Sequence, residues 1–107
     1  MELWTGLVCL VPDAACKNFR RFGDGKGAYV NVVAWADSAT HFEQRVTAMA
    51  GQLDCIVREI EQVELLDAAL EREGCSDELF TMRATAERQP NDVVFGTFHT
   101  WVQDDVN

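Results

Sequence analysis

Hydrophobic positions recur along this chain with two periods, one of strands and one of helices. Leu3 to Val11 is a largely apolar, β-rich run stopped hard at Pro12-Asp13, and it predicts a first strand, β1. Ala28 to Ala36 predicts a second, β2. One of its faces carries Ala28, Val30, Val32, Ala34 and Ala36, and the other Tyr29, Asn31, Val33 and Trp35. Both faces are mainly apolar, which is the mark of a central strand. Between the two strands, Gly23-Asp24-Gly25-Lys26-Gly27 is turn chemistry, with a short helical turn over Asp13 to Phe19 as an alternative for the start of that segment.

The period then changes. Phe42, Val46, Met49 and Leu53 fall at helical intervals and predict a helix, α1, over residues 39–53. Thr40 and Glu43 have capping-box spacing, and Ser38 is the alternative cap. Cys55 to Val63 predicts a strand, β3, with Glu59 and Glu61 on a wet face and Ile56 and Ile60 on the other. Leu65 to Glu73 predicts a short helix, α2, ended at Gly74. Ser76-Asp77-Glu78 caps a third, α3, that runs to about Arg88 and stops before Pro90. Val93 to Val102 predicts a last strand, β4, with Val93, Phe95, Thr97, His99 and Trp101 on one face. Residues 103–107 form a polar tail expected to fray.

The order β1-β2-α1-β3-α2-α3-β4 predicts one α+β domain over residues 1–107. The expected architecture is a two-layer sandwich: a four-stranded mixed sheet with helices mainly on one face. The β2-α1-β3 unit is expected to be a right-handed parallel crossover.

Composition agrees with a single core. A chain of 107 residues that is 48% hydrophobic is an ordinary globular domain. Charge narrows the partners. There are 9 Lys plus Arg against 18 Asp plus Glu, a formal charge of −9. Nucleic-acid binding begins by neutralising phosphates, and an anionic membrane surface repels such a chain, so neither partner is expected. A basic protein partner is permitted by the same field, and the plainer reading is that the charge keeps the chain in solution. The charge is also uneven: Lys17 to Lys26 holds four cations and one anion, whereas Asp54 to Glu78 holds nine anions and two cations.

No stretch approaches the ~20 apolar residues of a spanning helix. The opening Met1-Glu2-Leu3-Trp4 has no basic n-region, so the expected compartment is the cytoplasm, with reduced thiols. Cys9 and Cys55 lie in apolar strand runs and are expected as buried thiols, while Cys16 and Cys75 flank turns. No Cys or His pair has metal-ligand spacing, so no metal or other cofactor is expected.

The candidate chemistry is thin. His99 and Trp101, with Phe95 on the same predicted face and Trp35 on β2, would line an aromatic pocket around one titratable group. No second polar group is spaced to orient His99, which therefore reads first as a half-buried histidine on a sheet face. His41, in the first turn of α1, is expected in solvent. Arg20, Arg21 and Lys26 form a basic loop that lacks the pattern of a phosphate cradle. Glu59, Glu61, Glu64 and Asp67 cluster but sit in a charged stretch, where carboxylates stay solvated.

The leading functional expectation is a small acidic, non-catalytic protein-interaction or regulatory domain, of which an immunity or inhibitor protein is one form. The alternative is a small enzyme or ligand-binding domain with an aromatic pocket around His99. Trp4, Trp35, Trp101 and Tyr29 exceed what one layer of helices covers, so a homodimer is expected alongside a protein partner.

Overall fold

Two apolar faces on one strand demand neighbours on both sides and cover above and below, and β2 receives all four. The structure is a computed structural model describing residues 1–12, 27–53, 55–73, 77–97 and 99–101. There β2 (Gly27–Ala36) pairs antiparallel with β1 (Glu2–Pro12), from Glu2 opposite Ala36 to Leu10 opposite Ala28. The outer edge of β1 takes β3 (Cys55–Leu65), again antiparallel. The outer edge of β2 takes β4 (Val94–Phe95) and, further along, β5 (His99–Trp101). The strand order is β3-β1-β2-β4, with β5 also on β2. The helices are α1 (Ala39–Gln52), α2 (Leu66–Glu73) and α3 (Asp77–Arg88). The α+β class and the order of elements are those predicted.

Four details of the prediction are corrected. Every strand pairing among the described residues is antiparallel, so the sheet is not mixed. β2 and β3 do run in the same direction, but β1 lies between them, so the crossover through α1 skips a strand. The cause is that β1 and β2 are joined in sequence and pair with each other, leaving β3 the free edge of β1.

The helices also divide between the two faces instead of sharing one. Phe42, Val46 and Ala50 of α1 pack on the even residues of β1 and β2, including Val8, Leu10, Val30 and Val32, all fully buried. Leu66 of α2 with Leu79, Met82 and Ala86 of α3 pack around Val33, with Leu3 and Val94 beside them. A single layer of helices would have left the odd residues Leu3, Val33 and Trp35 in water, and burying a side chain of that size contributes roughly 1.5–3 kcal/mol.

The remaining two corrections share one mechanism, a residue inserted into a strand. β3 shifts register against β1 between Cys9 and Leu10 and again between Thr5 and Leu7. The extra residues are Arg58 and, opposite Gly6, one of Gln62 and Val63, of which Gln62 has φ 56. A one-residue insertion turns the following side chains to the other face. Ile60 therefore packs in the core opposite Val8, while Ile56 lies opposite Val11 and is 50% exposed. The predicted last strand is likewise broken, into β4 and β5. Phe95 pairs with Val32 but His99 with Tyr29, one residue out of phase.

Helix α1 starts at Ser38, whose side chain accepts from the His41 backbone N–H at 3.1 Å, so the alternative cap is the one used. Within its predicted stripe Phe42 and Val46 are buried, and Met49 and Leu53 half-buried. Cys9 and Cys55 are buried thiols. The predicted helical turn at Asp13 to Phe19, the basic residues Arg20, Arg21 and Lys26, Cys16, Gly74, Cys75 and residues 103–107 lie outside the described residues.

Candidate functional site

Of the four residues expected to form an aromatic pocket, His99, Phe95 and Trp35 are not brought together. His99 is exposed on β5, opposite Tyr29, and Trp101 pairs with Gly27. Phe95, four residues before His99, packs instead on the α1 side beside the main core. Trp35 stands at the far end of β2, half-buried under α3, its indole N–H donating to the Ala86 carbonyl at 3.0 Å. The phase shift between Phe95 and His99 separates the first two, and the covering helix takes the last. Trp4 packs against the α1 core. Its indole N–H is buried with no acceptor among the described residues.

Polar chemistry gathers on the other face, where the backbone departs from a regular sheet. Asn31 of β2 donates through Nδ2 to Glu78 Oε1 of α3 at 2.9 Å. The second oxygen, Oε2, accepts from the Thr97 backbone N–H at 2.8 Å, and the Gly96 N–H donates to the Asn31 carbonyl at 2.8 Å. One carboxylate thus ties the central strand, α3 and the break between β4 and β5. Gly96 leaves room for the clamp: a Cβ would stand 2.9 Å from the Glu78 carboxyl carbon and 3.0 Å from Met82 Sδ, so the ends of those side chains would have to shift. Partial burial pushes the Glu78 carboxyl up, but its bonds from Asn31 and Thr97, with the nearby His99, outweigh this and hold it below its ordinary value.

Next to this clamp a cavity of about 160 Å³ lies between the sheet and the helices. Thr5, Gly6 and Asn31 floor it, Gln62 and Glu64 of β3 wall it, and Arg72 of α2 stands at its side. Thr5 is held by its hydroxyl, which donates to the Val32 carbonyl at 2.9 Å. Gly6 allows β3 and α1 close approach, since a Cβ would sit 3.1 Å from Phe42 Cε2 and 3.3 Å from Val63 Cγ2. The Arg72 guanidinium donates to Glu64 Oε1, forming an ion pair across the cavity wall. Nothing in the periodicity marked Thr5, Asn31, Gln62 or Arg72, because the bulge that turns Gln62 here has no sequence signature.

A third cluster lies toward the other end of the same face. Glu59 pairs with Cys9, Cys9 with Tyr29, and Tyr29 with His99, so one row crosses β3, β1, β2 and β5. Glu61 is hydrogen-bonded to Glu59, and that bond and the repulsion between them raise the Glu61 carboxyl above its ordinary value. Burial pushes the Cys9 thiol up, against the opposing pull of Arg58 and a hydrogen bond with Tyr29. The Tyr29 hydroxyl is raised by Cys9 and by its surroundings. Among the described residues no group of three or more His, Cys, Asp or Glu is placed to hold a metal ion. No described helix is long and apolar enough to cross a membrane.

No family model, curated protein or solved structure matches this chain.

Proposed function

We propose that this is a small acidic, non-catalytic protein-interaction or regulatory domain, of the immunity or inhibitor type, that meets a basic partner through the face bearing Glu59, Glu61, Tyr29 and His99. The carrying observation is the Glu59–Glu61 pair. A hydrogen bond shared with Glu59, and after it the repulsion between the two carboxylates, raises Glu61, and a partner's Lys or Arg between them would relieve that repulsion. Tyr29 and Ile56, 39% and 50% exposed, supply apolar contact beside the charges. The net charge of −9 would steer a basic partner toward the domain. The premise for a homodimer, a surplus of uncovered tryptophans, loses Trp4 and Trp35 to helix packing, so that expectation is not carried forward.

The test is co-purification from native lysate with wild-type protein and with the doubly reversed Glu59→Lys, Glu61→Lys variant. A basic protein retained by the first, lost from the second and released by salt supports the reading. Equal recovery on both would sink it.

The second reading, a ligand-binding domain or small enzyme, rests on the cavity beside Arg72 and no longer on a pocket around His99. A small-molecule thermal-shift screen separates it from the first, because a ligand that binds only the folded state raises Tm.

A further inference from the structure

We propose that the outer edge of β3, with the apolar groove between it and α1, takes up an extended segment of the partner as an added strand, in which Lys or Arg alternates with aliphatic residues. The inference rests on the reading of an acidic interaction domain and adds to it the form and sequence chemistry of the partner.

Backbone sets the mode. β3 is an edge strand: among the described residues its only strand partner is β1, although at 11 residues it is as long as β1. An edge strand turns a row of N–H and C=O groups outward, ready to pair with another chain. The two inserted residues bound that readiness. Between them Glu59, Ile60 and Glu61 keep an unbroken register against Cys9, Val8 and Leu7. An incoming strand therefore has a short regular stretch to pair with, which suits one segment of a partner better than a long sheet-to-sheet seam.

Side chains set the sequence. Those of a strand alternate between faces, and an added strand lays each beside its neighbour on the same face. On the α1 side the neighbours are Val57 and Ile60, half-buried against the main core. Ala48 of α1 stands across the groove, with Gln44 and Thr47 beside it. On the other side the neighbours are the exposed Glu59 and Glu61. A strand with aliphatic side chains toward α1 would cover Val57 and Ile60, while its Lys or Arg side chains lay over the two carboxylates. Backbone pairing gives such a complex affinity, and the alternating sites give it specificity.

Charge sets the partner. Arg58 is exposed in the same stretch, but Glu43 at the groove joins Glu59 and Glu61, so carboxylates prevail around this edge. A second copy of this chain is a poor occupant. It would bring its own Glu59 and Glu61 to the edge, and two chains of charge −9 repel. A basic segment meets no such barrier and is steered in.

The experiment is an NMR titration of the isotope-labelled full chain with a capped octapeptide in which lysine and valine alternate, to about 5 mM, fivefold above a 1 mM Kd. Its amide shifts are expected from Val57 to Glu61 and at Ala48, with Val94 and Phe95 at the opposite edge unmoved. A peptide with its lysines and valines segregated into two halves should bind at least fivefold more weakly, and one with glutamate for lysine should not bind. Methylating the backbone nitrogens of the lysines, or those of the valines, keeps charge and alternation. Only one of these sets can face β3, so one methylated peptide should lose at least fivefold in affinity and the other should not. Ala48→Gln fills the groove at an exposed helical position without changing charge, and should weaken binding at least fivefold with the circular dichroism unchanged. No shift along β3, equal binding by the segregated peptide or by both methylated peptides, or undiminished binding to Ala48→Gln would each overturn strand addition. Where the basic peptides still bind in these cases, the acidic-domain reading stands alone. Equal binding by the glutamate peptide would remove that reading as well.

Discussion

The two faces of the sheet are built from opposite materials. Under α1 the β2 side chains are small and aliphatic: Ala28, Val30, Val32, Ala34 and Ala36 meet Phe42, Val46 and Ala50 with no exposure at all. Under α2 and α3 the apolar cluster is smaller, and directed bonds supplement it, from Asn31 to Glu78, from Trp35 to Ala86 and between Arg72 and Glu64. The cavity lies on this second face, between the sheet and its helices. On this second face, directed hydrogen bonds leave room between their anchors. Stability is thus concentrated on one side and the candidate chemistry on the other.

The comparison is tested most severely on the packed face. Val46→Asp places an unpaired carboxylate in a site with no exposure, and should cost about 3 kcal/mol or more. Gln44→Asp, exposed on the same helix, should stay within about 0.5 kcal/mol. Urea denaturation of the pair measures both. Similar losses would mean that the α1 face is not the rigid one.

On the bonded face the largest effect should come from Glu78→Ala, which leaves both the Asn31 amide and the Thr97 N–H without their acceptor. A loss of about 2 kcal/mol is expected, from the general cost of a broken, partly buried hydrogen-bond set. A loss below about 0.5 kcal/mol would reduce the clamp to a surface contact.

The two carboxylates of unusual affinity should also respond to pH with opposite signs. Glu78 is held below its ordinary value of 4.5, so its contribution is present above that pH and is lost as pH falls toward its folded value. Glu61 is raised above 4.5, so folding favours its protonated form, and its contribution is lost as pH rises through the folded value. Glu61→Gln should therefore be more stable than wild type at neutral pH, and this advantage should shrink on acidification. Glu78→Gln should be less stable at neutral pH, and its deficit should shrink on acidification. Chemical denaturation at pH 3, 5 and 7 would show whether the two differences have these signs (pH values about those of the carboxylate range). A common sign would contradict the assignment.

The same contrast explains how far the sequence could be read. The elements of the packed face follow from regular periods. The helical spacing of Phe42 and Val46, and the double apolar character of β2, identify a core helix and an interior strand directly. Periods fail where the strands are interrupted, within β3 and between β4 and β5. Ile56 and Ile60 look like one face until Arg58 is inserted between them, and Phe95 and His99 look like another until the strand breaks at Gly96. Each insertion reverses which side chains meet, so Phe95 and His99 no longer share a face, and Gln62 comes to the wall of a cavity. Cover on both faces was foreshadowed by the odd residues of β2, whose apolar character could not by itself decide between helices and a second copy of the chain.

The smallest expected effect isolates the second bulge. At φ 56 a residue with a β-carbon carries a steric cost of roughly 1–2 kcal/mol, which glycine does not. Gln62→Gly relieves that cost in the folded state, but it also loosens the unfolded chain by something approaching 1 kcal/mol. The two terms nearly cancel, so Gln62→Gly should lie within about 0.5 kcal/mol of wild type, on the stabilising side. Gln62→Val shares the backbone cost and adds a branched β-carbon that fits this conformation worse, so it should be less stable than the glycine variant by about 1–2 kcal/mol. Side-chain burial cannot produce this order, because Gln62 is exposed and valine at an ordinary strand position would be favoured over glycine. Valine more stable than glycine in urea denaturation would therefore mean that the chain is regular at this point, and the bulge that brings Gln62 to the cavity wall would be lost with it.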